Sequence, residues 1–204
     1  MTVADLVVVP TGTANLASVL AAFRRVGIDP QVATTVADVE QARRVVVPGV
    51  GSFGAAVAEL RRMGLASMLE ARVAADRPTL AICVGMQVLS TGSEESEGSV
   101  GLGAIAERVT RFPENVRVPQ LGWNLVRSGP DCEVLVDGWA YFANSYRFES
   151  LPKGWFGAVT DHGGEFVSAM ERGNVLACQF HPELSGVWGR DLLGRWLEKT
   201  GAAA

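Results

Sequence analysis

Histidine is nearly absent from this chain: among 204 residues there are two, His162 and His181. A metal site built from three histidines is therefore excluded, and a reaction that needs an imidazole has two candidates. Cysteine is scarce too. Three cysteines, an odd number, argue against a disulfide scaffold and for a reducing compartment, expected to be cytoplasmic. Positive charge is in deficit: 18 Lys and Arg against 22 Asp and Glu leave a net charge of −4, which speaks against a nucleic-acid surface. No apolar run reaches the ~18 residues a membrane span requires. The first ten residues lack a basic stretch ahead of their apolar ones, so no secretion signal is expected. Repeats and long low-complexity tracts are missing. What remains is an ordinary globular composition, with 48% hydrophobic and 20% charged residues. It predicts one domain over 1–204, large enough to bury a full core without a disulfide or metal.

The apolar pattern orders the first half. Residues 3–9 form a continuous β-branched run, as in a strand buried on both faces. Asn15 has the character of a helix N-cap, ahead of Leu16, Val19, Leu20 and Phe23 at helical spacing, and Gly27 stops that helix. A weaker strand over 31–34 and a helix over 36–42 follow. Next come a strand over 45–47 ended by Pro48-Gly49, helices over 55–63 and 66–74, and a strand over 79–82. Strands and helices alternating at this pitch predict a doubly wound α/β sheet. After Ser90 the pattern changes. The acidic segment 94–99 is expected to be a solvated loop. From Ala104 onward, short extended segments between turn clusters predict antiparallel strands added to the parallel sheet. A strand over 175–180 and an amphipathic helix over 188–198 close the chain, with 201–204 frayed.

Cys83 follows the apolar strand and precedes Gly85 and a helical stretch, Met86 to Leu89. A reactive residue between strand and helix, with glycine beside it, is the arrangement of a nucleophile elbow. Such a turn presents its side chain at the carboxyl end of the sheet, where open α/β folds bind ligands. The helix N-terminus there favours a thiolate, and the Val84 N–H points where an oxyanion would form. The alternative is that Cys83 is a small buried hydrophobe, as free cysteines usually are. Cys132 and Cys178 lack such a context; Cys132 lies in a turn cluster and Cys178 inside an apolar strand.

His181-Pro182-Glu183 follows the 175–180 strand. In an extended chain, residues i and i+2 face the same side, and Pro182 biases His181 toward extended geometry. Glu183 can then orient the imidazole while the imidazole takes a thiol proton. A strand-end histidine beside a solvated glutamate is the alternative. His162, in a Gly-rich turn, is expected to be exposed. The loop Pro48-Gly49-Val50-Gly51-Ser52 permits unusual backbone conformations, including an inward N–H suited to an oxyanion hole. It could equally be a plain turn or a phosphate cradle, although it lacks the Lys-Ser/Thr of a P-loop.

Together these pieces resemble the class I, triad-type glutamine amidotransferases. The likeness rests on Cys83-Val84-Gly85-Met86-Gln87 and on Gln179-Phe180-His181-Pro182-Glu183. Pro48-Gly49-Val50-Gly51-Ser52-Phe53, Leu121-Gly122-Trp123-Asn124 and Asn144-Ser145-Tyr146 narrow it to the glutaminase subunits of imidazole glycerol phosphate synthase. Asn15-Leu16-Ala17-Ser18-Val19 fits the first-helix pattern of that family. The chain departs from the usual pattern at Pro10-Thr11-Gly12, Gln120, Asn144 and Leu184; none of these is in the triad.

The resemblance implies an α/β class I amidotransferase fold: a central, mostly parallel sheet flanked by helices, with added antiparallel strands. It implies a glutaminase in which Cys83 attacks the glutamine side-chain amide, His181 shuttles the proton and Glu183 orients His181. Val50, Gly51 and Val84 would supply the oxyanion hole. Gln87, Asn144, Ser145 and Tyr146 would hold the glutamine. The implied partner is a (βα)8-barrel cyclase that receives the ammonia, docked through Trp123, Asn124 and Asn15; a core role for Trp123 is the alternative. No cofactor and no metal are implied. Three rivals remain at this point: a glutaminase subunit of pyridoxal phosphate or anthranilate synthase, a stress-chaperone-type cysteine-elbow protein, and a regulatory pseudo-enzyme.

Overall fold

A computed structural model of the chain describes residues 4–12 and 15–201. The first residue of the strand expected over 3–9, and 202–204 of the expected frayed tail, lie outside the described residues. In chain order the elements are β1 (Leu6–Val8), α1 (Leu16–Arg25), β2 (Gln31–Val32), α2 (Val36–Gln41), β3 (Arg44–Gly49), α3 (Phe53–Arg62), α4 (Ala66–Ala74), β4 (Thr79–Cys83) and α5 (Val84–Val88). There follow β5 (Gly92–Ser93), β6 (Arg108–Arg111), β7 (Gln120–Ser128), β8 (Gly138–Asn144), β9 (Tyr146–Arg147), β10 (Phe156–Asp161), β11 (Glu165–Arg172) and β12 (Val175–Cys178). A 3-10 turn (Pro182–Leu184) and α6 (Gly186–Gly201) complete the described residues.

Nine strands form one sheet in the order β2-β1-β3-β4-β12-β11-β10-β7-β8. The five from β2 to β12 run parallel. Their central members are mostly apolar and buried at every position, as two covered faces require. The strands from β11 to β8 extend the sheet in antiparallel pairs, as the short, turn-punctuated second half predicts. β5, β6 and β9 form a separate small sheet.

Local chemistry sets the helix starts. The Asn15 side chain accepts from the Ser18 N–H at 3.3 Å and caps α1. Phe23 of α1 then meets Trp196 of α6 edge-on at 6.4 Å. Thr35 and Asp38 form a capping box on α2. There, hydrogen bonds from the Thr34 and Thr35 backbone lower the Asp38 carboxyl to a pKa of about 2.

Several boundaries differ from the sequence reading. β3 does not end at Val47 but continues through Pro48-Gly49. Proline forfeits a ladder donor, yet its carbonyl is satisfied by the Thr11 hydroxyl at 2.8 Å. α3 starts at Phe53 rather than Ala55, because the Ser52 hydroxyl accepts from the Ala55 N–H at 3.4 Å. α6 starts at Gly186 rather than Trp188, and β12 stops at Cys178 rather than Phe180. The acidic segment 94–99 is anchored rather than merely solvated. Glu95 Oε2 accepts from the Phe53 N–H at 2.5 Å, and Ser96 Oγ accepts from the Gly54 N–H at 3.1 Å. The unpaired N–H groups of the first turn of α3 need such acceptors.

Candidate active site

The parallel register brings three strand ends together. Gly49 of β3 pairs with Cys83 of β4, and Ile82 of β4 pairs with Cys178 of β12. The strained turn at Cys83, the glycine loop after β3 and the 179–183 segment after β12 therefore converge at the carboxyl edge of the sheet.

Cys83 has φ 54° and ψ −113°, and only it and Asp76 are non-glycine residues with positive φ among those described. Such a conformation costs on the order of 1–3 kcal/mol and persists only where the surroundings enforce it. Here close backbone packing enforces it. A β-carbon on Gly85 would lie 1.8 Å from the Val47 carbonyl oxygen, and one on Gly49 would lie 2.9 Å from Val84 Cβ. The helix that follows has only five residues. Its dipole therefore supports a thiolate less than the sequence reading supposes, and the neighbouring side chains matter more.

The most direct neighbour is His181. Its Nδ1 lies 2.8 Å from Glu183 Oε1, with both side chains 5% exposed. A carboxylate can only accept, so Nδ1 carries the proton and Nε2 is left for the thiol. Burial alone would push this imidazole down. Hydrogen bonds to Cys83 and Glu183, and their negative charge, outweigh burial and raise its pKa from 6.5 to about 10. The site thus favours the protonated form of the imidazole. The other thiols have no such partner. Burial and then Glu183 push Cys178 well above the ordinary thiol range, and burial raises Cys132 as well. His162 is half-buried rather than exposed. Its Nε2 lies 2.8 Å from the Arg117 carbonyl, and its ring meets Phe112 edge-on at 5.0 Å.

A cavity of about 90 Å³ opens beside the sulfur. Cys83, Gly51, Val84, Gln87 and Glu95 line it, and the stretch 143–146 forms its far wall. Of the residues expected to hold a substrate, Gln87, Asn144, Ser145 and Tyr146 therefore all face one cavity. Of those expected around an oxyanion, Gly51 (φ +85°) and Val84 line it, while Val50 stands half-buried just before Gly51. The remaining three expected residues lie apart. Trp123 is 54% exposed rather than in the core. Asn124 points to the opposite face of β7, where its side-chain amide donates to the Asp161 carbonyl at 2.9 Å. Asn15 is exposed at the cap of α1.

Three site residues escape the sequence reading. Glu95 lines the cavity, although nothing in a run of acidic residues singles it out. Ser185 accepts from the Tyr141 N–H at 3.0 Å and donates to the His181 carbonyl at 2.6 Å, while the His181 N–H donates to the Tyr141 carbonyl at 2.9 Å. These bonds tie the histidine to β8. Gln179 is fully buried, with its amide nitrogen 3.7 Å from Cys83 Sγ; its place two residues before His181 was the available signal.

The constellation holds a thiol, an imidazole and an orienting carboxylate beside a polar cavity, which suits acyl transfer from an amide. Comparisons with known proteins agree. Residues 7–197 match the family glutamine amidotransferase class-I. The chain is 41% identical to the imidazole glycerol phosphate synthase subunit HisH of Symbiobacterium thermophilum, over 95% of this chain and 93% of that one. It is 40% identical to the chloroplastic imidazole glycerol phosphate synthase hisHF of Arabidopsis thaliana, over 91% of this chain and 33% of that longer one. Among solved structures, a crystal structure of a glutamine amidotransferase superposes with a TM-score of 0.77 at 21% identity, covering 96% of this chain and 99% of the other.

Proposed function

The chain belongs to the class-I glutamine amidotransferase family, and we propose that it is the glutaminase subunit of an imidazole glycerol phosphate synthase, serving histidine biosynthesis. We read residues 1–204 as one amidotransferase domain, acting in the cytoplasm with a (βα)8-barrel cyclase as partner. The observation that carries the activity is the buried His181–Glu183 pair held against Cys83 at the mouth of a polar cavity.

In this reading the Cys83 thiol gives its proton to His181, and Sγ attacks the side-chain carbonyl carbon of glutamine. The oxyanion that forms is met by the Val84 N–H and by an N–H of the Val50-Gly51 loop. His181 gives its proton to the departing nitrogen, the C–N bond breaks, and ammonia leaves a glutamyl thioester on Cys83. The neutral imidazole then takes a proton from water, and the hydroxide displaces the thiolate as glutamate is released. Glu183 keeps Nε2 aimed at the reacting atoms throughout. The Glu95 carboxylate suits the substrate ammonium, and backbone groups of 144–146 suit its carboxylate.

Ammonia in bulk water would be protonated and lost as a nucleophile, which favours direct transfer to a docked cyclase. Leu121, Trp123 and Trp139 form an exposed apolar band across the paired strands β7 and β8. Trp123 packs edge-on against Tyr141 at 6.2 Å, and the Tyr141 carbonyl accepts from the His181 N–H. The band is thus one cross-strand neighbour away from the triad. A partner seated there can alter triad geometry, a coupling of two sites. The relative named hisHF, of which this chain covers 33%, supports the partnership.

The test is glutamate release from glutamine by the purified chain, alone and with a barrel cyclase and its nucleotide ligand, beside a Cys83→Ala control. Release that needs the partner and vanishes in the control is expected. Silence from an assembled complex would favour a regulatory pseudo-enzyme, and full turnover without a partner would point to another amidotransferase.

A further inference from the structure

Gln179 follows β12 in the register that sets Cys178 beside Ile82, so it stands laterally beside Cys83. Its side chain is fully buried. One amide end meets the Gln87 side chain, with Gln87 Nε2 donating to Gln179 Oε1 at 2.9 Å; the other end places Nε2 3.7 Å from Cys83 Sγ. Gln87 Nε2 also donates to the Tyr146 carbonyl at 3.3 Å.

That carbonyl decides the orientation of both amides. A backbone carbonyl can only accept, so the end of Gln87 that faces it must be the NH2 group. The same NH2 faces Gln179, which must answer with its oxygen. The Gln179 NH2 is then left for the sulfur. Flipping either amide would set donor against donor or acceptor against acceptor in a buried site, where an unpaired polar group is costly. We infer that Gln179 is a positioning residue that holds Cys83 in its nucleophilic form by donating an amide N–H to the sulfur, its orientation dictated by the Tyr146 carbonyl through Gln87. The reason is electrostatic: a hydrogen bond to a thiolate is stronger than one to a neutral thiol. With only a five-residue helix behind Cys83, this side-chain donor supplements His181. The relay also begins in the wall of the cavity, so the segment that faces the substrate and the sulfur that attacks it share one hydrogen-bonded chain.

This inference rests on the reading of Cys83 as the nucleophile, but its test does not need glutamine. Alkylation of Cys83 by iodoacetamide at pH 7, resolved by peptide mass spectrometry from Cys132 and Cys178, reports the nucleophilicity of the sulfur directly. In the full-length Gln179→Met variant, which keeps the bulk and loses the donor, alkylation of Cys83 is expected to slow about tenfold. In Gln179→Glu, which sets a carboxylate against the sulfur, the loss is expected to be larger. In the assembled synthase, kcat should fall with alkylation while KM for glutamine changes less, because Gln87 keeps its bond to Tyr146. Relative to the unmutated chain, the Gln179 side-chain amide proton should move upfield in Cys83→Ala, which removes its acceptor, a readout that does not depend on a Gln179 variant folding. Unchanged alkylation in folded Gln179→Met, or an unmoved amide resonance in Cys83→Ala, overturns the inference. Fast, Gln179-dependent alkylation in a chain that never releases glutamate would sink the glutaminase reading and leave this one standing.

Discussion

His181 has a raised proton affinity because two acidic neighbours outweigh its burial. A group whose folded pKa lies above its ordinary 6.5 stabilises the fold fully below that pH. The contribution is lost as pH rises and is gone above about 10. Thermal midpoints measured from pH 6 to 10 should therefore decline through this window. The decline should be shallower in Cys83→Ala, where one of the two acidic partners is gone and burial weighs more. With only two imidazoles in the chain, proton NMR can follow the His181 ring directly. If that ring titrated near 6.5 in the unmutated chain, the buried ion-pair account would be wrong.

At the scale of elements, the site depends on how closely β3 passes the turn between β4 and α5. Gly85 is where that approach is tightest, since an added β-carbon would overlap the Val47 carbonyl. Neither atom belongs to a flexible side chain, so the backbone itself must move. Gly85→Ala is expected to cost about 3 kcal/mol or more, with a matching fall in the urea midpoint. Glutaminase activity should fall further than stability, because the shift displaces Cys83 and Val84 together. Retention of activity with a stability change below about 0.5 kcal/mol would show that the turn has room to relax. The three bonds joining His181, Ser185 and Tyr141 are the second such device, and they make β8 a structural neighbour of the triad.

Across the whole molecule, the sheet ends in a hairpin whose outer face is unusually apolar. An exposed tryptophan contributes little to the fold but is a frequent anchor of interfaces. Trp123→Ala should therefore leave the melting temperature of the isolated chain nearly unchanged, within the ~0.5 kcal/mol typical of surface substitutions. It should weaken binding to the barrel cyclase by about 2 kcal/mol or more, measurable by calorimetry. Unaltered affinity would move the docking face elsewhere. Asn124 is a poor companion in such an interface, because strand alternation turns it away and the Asp161 carbonyl engages its side chain.

Features with local causes are legible in the chain alone. Apolar β-branched runs specify strands covered on both faces, and capping residues such as Asn15 start helices where they stand. A cysteine before Val-Gly and a histidine two residues before a glutamate carry their geometry within a few bonds, so the elbow and the His181–Glu183 pair were legible. Segment 144–146 was legible only through family resemblance, since no local rule ties it to Cys83. The rest arises from contacts between distant segments. Gln179, Glu95 and Ser185 act through partners 96, 42 and 44 residues distant, and such pairings follow from strand register and loop anchoring. The persistence of β3 through Pro48, the exposure of Trp123 and the packing of half-buried His162 against Phe112 have the same origin. Each depends on which surface another part of the chain covers, and periodicity within a segment does not encode that.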